Sequence, residues 1–263
     1  MWARYLGTTV ETTNSVGAKM ILIPPGEFLM GSTEVTVAEF RVFVTYAGHV
    51  TDAERFGTGN SADQTVASDK TDAKKQPTWK APGYRVNESF PVTQVSWNDA
   101  QAYCQWLSKM DKANYRLPME TEWEFACRAG TTTPYSFGDD ASEFDQHGWH
   151  LGNANFNCHS VAKKKPNSFG LCDMHGNLEE WCGTEFDEVT YSKKSSDALP
   201  AAASHSLYAV RGGHWYYNAA FGRSTFRGAG PPTLRFNTLG FRVAQTIASL
   251  PPATNASFDA KAR

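Results

Sequence analysis

The stretch Asp173-Met-His-Gly-Asn-Leu-Glu-Glu-Trp181 places glycine and asparagine just before two acidic residues and a tryptophan. Glycine and asparagine are the residues that tight turns favour. Asn177 and Glu180 are therefore interpreted as polar residues that fix a turn in front of a buried Trp181. From Gly130 onward, glycine turns, aromatics and short apolar pieces replace any sustained 3.6-residue period. This pattern predicts short strands joined by long loops.

The residues on the N-terminal side of this stretch predict a hairpin and three helices. Two apolar runs around a Pro-Gly turn predict the hairpin over 20–32. Capping-box spacing and apolar residues at helical intervals predict a first helix over about 36–47 and a second over about 97–109. A short strand is predicted at 91–95. Early acidic residues after a proline predict a short third helix over 120–128.

The remaining segments are polar and aperiodic. Residues 58–89 and 183–206 are predicted to be surface loops, because they are rich in turn-forming and charged residues. Residues 1–19 are interpreted as an N-terminal extension and 246–263 as a C-terminal tail. One α+β domain is therefore expected over about 20–245.

Composition excludes several classes of protein. The 263 residues are 41% hydrophobic and 13% aromatic, which is too rich in core-forming side chains for a disordered chain. A formal net charge of −2 implies no general affinity for nucleic acid. We find no signal peptide and no membrane span, so a cytoplasmic monomer is the default expectation. The five cysteines lack a CxxC pair and are expected to be reduced and mostly buried.

An ordered series of motifs resembles the formylglycine-generating-enzyme (sulfatase-modifying factor) family. That family has an elaborated C-type-lectin-like α+β fold with two main helices, small antiparallel sheets and many loops. The resemblance covers residues 20–244, and this fold is the expectation for the chain. The matching strings are Ile23-Pro-Pro-Gly-Glu-Phe-Leu-Met-Gly-Ser32, Glu34-Val-Thr36, Thr51-Asp-Ala-Glu-Arg-Phe-Gly57, Pro91-Val-Thr-Gln-Val-Ser-Trp-Asn-Asp-Ala100, Tyr115-Arg-Leu-Pro118 with Glu122-Trp-Glu124, Pro166-Asn-Ser-Phe-Gly-Leu171, Asp173–Trp181, Arg211-Gly-Gly213 and Gly240-Phe-Arg242.

The resemblance implies a reaction that two residues of this chain do not support. Enzymes of the family carry two redox cysteines shortly after the Arg-Gly-Gly motif, where they bind copper and activate oxygen. The matching positions here are Tyr217 and Gly222, and no cysteine follows Cys182. A phenol and a glycine cannot supply thiolate chemistry or a soft copper site. The sequence therefore predicts that the chain is not an enzyme and needs no copper.

The resemblance also implies a calcium ion. In the family the ion lies within the segment that matches 173–181. The matching ligands are the side chains of Asp173 and Glu180 and the backbone carbonyls of Gly176 and Leu178, and hard oxygen ligands are what Ca²⁺ prefers. The alternative is the turn described above, with no ion. A second calcium site of the family would match Asn155 and Phe156, but its acidic partner loop is shortened here, so its ligands are incomplete.

Residues 214–239 have an unusual composition. They contain no Lys, Asp, Glu, Gln, Met or Cys, and are rich in aromatic, small polar and glycine residues. Such residues suit adaptable binding surfaces, in which rigid rings give contact area and small polar groups adjust hydrogen bonds. We predict a non-catalytic surface that binds a protein or other macromolecular ligand. The expected contact residues are His214, Tyr216, Tyr217, Asn218, Phe221, Phe226, Phe236 and Asn237.

This composition resembles the variable proteins of diversity-generating retroelements, one branch of which uses the same lectin-like fold. The resemblance implies that 214–239 is diversified between fixed anchors, with Trp215, Arg223, Arg227 and Arg235 as constant framework. Two alternatives remain. The chain could be an undiversified binding domain, or an oxidoreductase or degenerate enzyme homologue related to the formylglycine-generating enzymes.

Overall fold

Two small sheets, two main helices and long connecting loops make up the computed structural model, which describes residues 10–24, 27–56, 77–186 and 206–247. The helices are α1 (Val37–Ala47), α2 (Asp52–Phe56), α3 (Trp97–Asp111), α4 (Glu120–Arg128) and the short α5 (Phe144–His147). The strands are β1 (Glu11–Thr13), β2 (Lys19–Ile23), β3 (Phe28–Gly31), β4 (Asn114–Arg116), β5 (Glu179–Phe186), β6 (Leu207–Arg211), β7 (Arg227–Gly230), β8 (Leu239–Gly240) and β9 (Ala244–Thr246). The predicted α+β class, with few helices and small sheets, is confirmed.

The first sheet has the order β1-β2-β3-β9-β4 and is antiparallel throughout. Strand β9 lies between β3 and β4, so the end of the described chain joins the N-terminal hairpin to the strand after α3. The second sheet has the order β7-β6-β5-β8. Its β5–β8 pair is parallel and its other pairs are antiparallel. This second sheet carries the segment predicted to bind ligand.

The predicted helices begin at their capping residues. Thr36 accepts a hydrogen bond from the backbone N–H of Glu39 at 3.3 Å, and the Glu39 carboxylate accepts from the Thr36 N–H at 2.8 Å. Ser96 and Asp99 form the same reciprocal pair at the start of α3. Each such cap is worth about 1 kcal/mol. The spacing in the sequence therefore located both main helices to within two residues.

The main core lies between α1, α3 and the sheets. Phe40 of α1 packs against Tyr103 of α3 with ring centroids 6.0 Å apart, and both rings contact Phe241. Trp181 on β5 is fully buried, as the turn before it predicted. Its indole N–H donates to the Val95 carbonyl at 3.3 Å, which ties the second sheet to the segment before α3.

Three segments differ from the sequence predictions. Residues 183–186, predicted as loop, continue β5 and pair with β6, because partners elsewhere in the chain satisfy their backbone. Residues 11–13 form an edge strand within the segment predicted as an N-terminal extension. Residues 91–95 are buried but make only one isolated bridge, between Pro91 and Thr36, instead of a strand.

Other predicted segments lie wholly or partly outside the described residues. They are most of the loop predicted over 58–89, the loop residues 187–205 and the tail after 247. Within the residues that are described, no helix has the length and apolar character that a membrane crossing requires.

Candidate functional site

Two glycines turn the chain at the start of the segment predicted to bind ligand. Gly212 and Gly213 follow β6 and have positive φ angles of +101° and +68°. A Cβ at position 213 would lie 2.6 Å from the carbonyl oxygen of Phe221, so only glycine admits this close approach. Residues 214–226 therefore leave the sheet as a loop that folds back on its own start before β7 begins.

Two arginines fasten the ends of this loop to α4. Arg211 is buried and donates to the Ser224 carbonyl at 2.7 Å, and it also forms an ion pair with Glu124. Arg227, at the other end, forms a bidentate ion pair with Glu120 at 2.6 and 2.5 Å. Bidentate pairs of this kind fix orientation as well as charge. The loop is thus held at both ends by side chains that point away from its outer surface.

Trp215 supports the loop from beneath. Its side chain is 7% exposed and packs in a small cluster with Ala154 and Leu178. Its backbone N–H donates to the Asn177 carbonyl at 3.0 Å, and its indole N–H donates to the Asn237 carbonyl at 3.5 Å. The buried indole and these two hydrogen bonds together hold the loop in a fixed position over the sheet.

Aromatic rings cover the outer side of the loop. Tyr217 stacks on His214 with ring centroids 3.7 Å apart and contacts Phe221 at 4.8 Å, and Phe221 contacts Phe226 at 5.2 Å. Tyr216 is 54% exposed and Phe221 is 39% exposed. We call the outward-facing group the aromatic face, and its members are Leu151, Phe156, Tyr216, Tyr217, Phe221 and Phe226.

A second loop contributes to this face, and the sequence analysis missed it. The Leu151 N–H donates to the Tyr217 carbonyl at 2.8 Å, which joins the two loops through their backbones. Phe156 lies 6.3 Å from Tyr216 between ring centroids and is 70% exposed. Its φ of +57° is a left-handed conformation that a bulky side chain rarely adopts. An exposed ring held in strained backbone is the kind of feature that clusters at functional sites.

The eight predicted contact residues divide into three groups. Tyr216, Asn218 and Phe221 are exposed, whereas Tyr217, Phe226, Phe236 and Asn237 are partly exposed. Phe236 packs against the main core, and its carbonyl accepts from the Gln94 N–H at 3.0 Å. Phe236 and Asn237 therefore belong to the wall behind Trp215 and not to the aromatic face. The structure brings four of the predicted contact residues together on the outside of the loop: Tyr216, Tyr217, Asn218 and Phe221.

His214 is a correction to the predicted contact set. It is 7% exposed because Tyr217 stacks over its ring. Burial lowers the pKa of His214 to about 4, so the ring is neutral at physiological pH. Its Nδ1 accepts from the Tyr216 N–H at 3.1 Å. His214 thus lies beneath Tyr217 and is buried, unlike the exposed members of the predicted contact set.

The residues predicted to bind calcium lie in a buried polar centre, formed by Glu34, Asp173, Glu180 and Arg242. Glu180 forms a bidentate ion pair with Arg242, with both distances 2.7 Å, and also accepts from the Trp123 indole N–H at 2.7 Å. Both carboxylate oxygens of Glu180 are therefore taken, and its charge is already balanced inside the protein.

Asp173 is different, because one of its oxygens has no partner. Oδ2 accepts from the Ala162 N–H at 2.7 Å, while Oδ1 is buried without a hydrogen bond among the described residues. Glu34 beside it likewise keeps Oε2 unpaired, although Oε1 accepts from Asn177 at 2.9 Å. Burial, and secondarily the charge of Asp173, raises the pKa of Glu34. A carboxyl with a raised pKa can hold a proton in place of a cation.

One of the four predicted calcium ligands, Glu180, is already engaged inside the protein. Both oxygens of its carboxylate are bound by Arg242, and separately the N–H of Gly176 donates to the Gly212 carbonyl at 2.9 Å and closes the turn. Within the described part of the chain, no group of three or more histidine, cysteine or acidic side chains is arranged to hold a metal. Calcium binding by Asp173, Glu180, Gly176 and Leu178 therefore stays a prediction, with the ion-free turn as its alternative.

Comparisons with known proteins bear on both the fold and the chemistry. The model of the Sulfatase-modifying factor enzyme 1-like domain matches residues 7–247. A protein of Streptomyces coelicolor named formylglycine-generating enzyme is 30% identical over 249 residues, covering 82% of this chain and 77% of that protein.

Two solved structures share the fold. PvdO from Pseudomonas aeruginosa superposes with a TM-score of 0.69 at 23% identity, covering 90% of this chain and 98% of that one. Treponema denticola variable protein 1 superposes with a TM-score of 0.64 at 22% identity, covering 91% of this chain and 100% of that one. At these identities the likeness shows a common fold.

The prediction that the chain is not an enzyme is corrected by these comparisons. Several relatives carry the name formylglycine-generating enzyme, at 28–30% identity. Tyr217 and Gly222 stand where the resemblance implies redox cysteines. Their presence bears only on thiol chemistry at those two positions. It does not exclude catalysis by a chain whose named relatives are enzymes.

Proposed function

The chain belongs to the family of Sulfatase-modifying factor enzyme 1-like domains, and from that premise we propose that it binds a protein or other macromolecular ligand through the aromatic face. The observation that carries the proposal is the exposure of rings from two loops on one side of a rigidly held support. Phe156 is 70% and Tyr216 is 54% exposed, while Trp215 beneath them is 7% exposed. Contiguous exposed apolar groups on a soluble domain mark interaction sites.

The support beneath the face limits the entropy that binding would remove. Arg211 and Arg227 hold the ends of the loop, and the Leu151–Tyr217 backbone bond holds its middle. Pre-organised rings gain contact area without first having to be ordered. Tyrosine is one of the side chains that supply large, rigid contact area at antibody-like surfaces.

Burial along the loop also supports the narrower proposal of a variable protein. Asn218, Ala220, Phe221 and Thr225 are exposed, while the intervening Gly222 and Ser224 are buried. Changes at the exposed positions would alter the surface and leave the buried contacts intact. We propose that these exposed positions are the ones that a diversity-generating retroelement would vary.

A library experiment tests the binding proposal. Positions 216, 217, 218 and 221 would be randomised together, and Trp215, Gly222 and Ser224 would be randomised in a control library. We expect most members of the first library to fold and to yield binders against an arbitrary test protein, and most members of the control library to unfold. A first library that unfolds like the control contradicts the proposal.

The diversification step has its own test in the DNA around the coding region. We expect a second, near-identical copy of the stretch that encodes 214–239, differing at positions where the copy has adenine. If that flanking DNA holds no such copy, the variable-protein proposal fails while ligand binding by the aromatic face stands on its own test.

Catalysis is the second candidate function, favoured by the names of the relatives. All five cysteines are described and free, and Cys172 is the only one that is not fully buried. Burial raises the pKa of Cys172 to about 11, so its thiolate is scarce at neutral pH. Mass spectrometry of a sulfatase-type peptide incubated with the protein and copper would detect formylglycine. Product that disappears in Cys172→Ser would establish this candidate, and unchanged peptide would remove it.

A further inference from the structure

A groove with a volume of about 370 Å³ lies at the margin of the main core, between the first sheet and the end of α3. Leu29 and Tyr115 each pair with Gln245 across β3, β9 and β4, and paired residues place their side chains on the same face of a sheet. These three residues form one side of the groove. Strand β1 with the turn after it, and the end of α3, form the other sides.

Asp111 is the only charged residue among those that line the groove. Its carboxylate accepts from the Ser15 N–H at 3.3 Å. Lys109 and Lys112 are exposed at the same end of α3, but no ion pair among the described residues joins either of them to Asp111. The groove therefore carries an unbalanced negative charge, which favours a cationic ligand and disfavours an anionic one.

The position of Asp111 in α3 adds to this negative potential. Asp111 is the last residue of a 15-residue helix, and the C-terminal end of a helix carries the partial negative charge of the helix dipole. An acid at this end is unfavourable for the helix itself, whereas a cation there is attracted by both the carboxylate and the dipole. The end of α3 is thus better suited to a bound cation than to an empty groove.

Asn14 supplies a hydrogen-bond donor that has no partner. Its Oδ1 accepts from the Ala18 N–H at 2.8 Å, while its Nδ2 is buried and unpaired among the described residues. Asn14 lines the groove beside Ser15, whose N–H donates to Asp111. A buried donor without a partner costs free energy, which a ligand that carries an acceptor would recover. The groove thus offers an anionic group and an unpaired donor on neighbouring parts of its lining.

The rest of the lining suits a hydrocarbon stem. Leu29 and Ala113 are apolar, and the Tyr115 ring adds a third apolar surface. Burial, and secondarily Asp111, raises the pKa of the Tyr115 phenol, so this group stays neutral at physiological pH. Methylene groups that contact these side chains are removed from water, which is favourable. A cation on an unbranched stem therefore fits this lining better than a compact inorganic cation.

We propose that the groove binds a lysine side chain of a peptide or protein partner. The ammonium group would pair with Asp111, the stem would contact Leu29 and Ala113, and the backbone carbonyl of that lysine would accept from Asn14. A free alkylamine shares the ammonium group and the stem but lacks the carbonyl. The inference is independent of the proposed function, because the groove and the aromatic face share no residue.

Chemical-shift titration of the isotopically labelled full chain at pH 7 tests this with three probes. They are N-acetyl-lysine-N-methylamide, N-acetyl-norleucine-N-methylamide, which lacks the ammonium group, and n-pentylamine, which lacks the backbone. We expect the lysine probe to shift the amides of Ser15 and Gln245 and to bind about tenfold more tightly than the norleucine probe, as one charge-assisted contact gives. Pentylamine should bind less tightly than the lysine probe. Asp111→Asn should reduce the lysine probe to the affinity of the norleucine probe.

Asp139→Asn is the matched control, since Asp139 is an exposed acid that does not line the groove. We expect it to leave all three affinities unchanged. Equal binding of the lysine and norleucine probes, a lysine preference that survives in Asp111→Asn, or no shift at Ser15 and Gln245 overturns the inference. Pentylamine that binds as tightly as the lysine probe would assign the ammonium site to free amines and overturn a peptide lysine as its ligand. Thermal unfolding of each variant establishes that the fold is intact in every titration.

Discussion

The aromatic face and the buried polar centre differ in how far their side chains are removed from solvent. In the buried polar centre, Glu180 and Arg242 satisfy each other, and both side chains are fully buried. On the aromatic face, Phe156, Tyr216 and Phe221 keep a large part of their side chains exposed. Breaking the buried ion pair would destabilise the fold, whereas exposed rings gathered on one surface are typical of an interaction site.

The sequence locates both regions but distinguishes them only in part. The motifs 173–181 and 240–242 predict a turn and a buried tryptophan, and both features are local. The ion pair of Glu180 with Arg242 joins residues 62 positions apart, so residue spacing could not reveal that Glu180 is already neutralised. That long-range contact occupies one expected ligand of the calcium prediction, which stays a prediction.

The largest effect expected in this comparison is the loss of Arg242. Arg242→Ala would leave the Glu180 charge buried and unpaired, and would also remove donors from the Gly31 and Cys172 carbonyls. We expect the free energy of unfolding to fall by about 3–5 kcal/mol. Chemical denaturation measures this.

Arg41→Ala is the control, because Arg41 pairs with Glu88 at the surface, with side chains 55% and 61% exposed. It should cost less than about 1 kcal/mol. Similar losses in the two variants would show that the buried polar centre does not carry the stability assigned to it.

Glu179→Gln is expected to stabilise the protein at high pH. The folded pKa of Glu179 is about 7 and its ordinary value is 4.5, so between these values the folded state holds a proton that the unfolded state has lost. Stability from this group is therefore present at low pH and lost as pH rises through that window. We expect the variant to exceed the wild type by about 1–3 kcal/mol at pH 8.

The same comparison at pH 4 is the internal control for Glu179. The carboxyl is then protonated in both states, so the two proteins should have equal stability. Tyr217 titrates above this range, because burial raises its pKa, and it does not interfere. A Glu179→Gln variant that is less stable at pH 8 would mean that the carboxylate has an internal partner.

Phe156→Gly tests whether the left-handed backbone at position 156 carries steric strain while it holds an exposed ring. Glycine adopts the φ of +57° without the steric penalty that phenylalanine bears, but it loses more entropy on folding. These terms nearly cancel, so we expect the free energy of unfolding to change by less than about 1 kcal/mol. Phe40→Ala, a fully buried ring on α1, should cost about 3–5 kcal/mol in the same assay.

Calcium should have the smallest effect. Because Glu180 is held by Arg242 and Trp123, we expect the unfolding temperature to be the same in calcium and in chelator. A calcium-dependent rise that is abolished in Asp173→Asn would restore the ion that the family resemblance implied. A rise that persists in that variant would place the ion elsewhere.

Much of the fold follows from local sequence signals, and the face does not. The capping boxes that begin at Thr36 and Ser96 predict where the two main helices start, because a capping box depends on residues three positions apart. The polar end of β5 was predicted as loop, because pairing with β6 creates that strand. Phe156 was missed because nothing in its own neighbourhood indicates that it meets Tyr216, which lies 60 positions away.

The most direct test of the central claim is the unfolding of a variant in which Phe156, Tyr216 and Phe221 are all serine. These side chains are 70%, 54% and 39% exposed, so the account predicts that together they cost less than about 2 kcal/mol. Phe236→Ser, in which one ring leaves the main core, should alone cost about as much or more. A triple variant that loses more than about 4 kcal/mol would identify the aromatic face as part of the core and contradict its role as a binding surface.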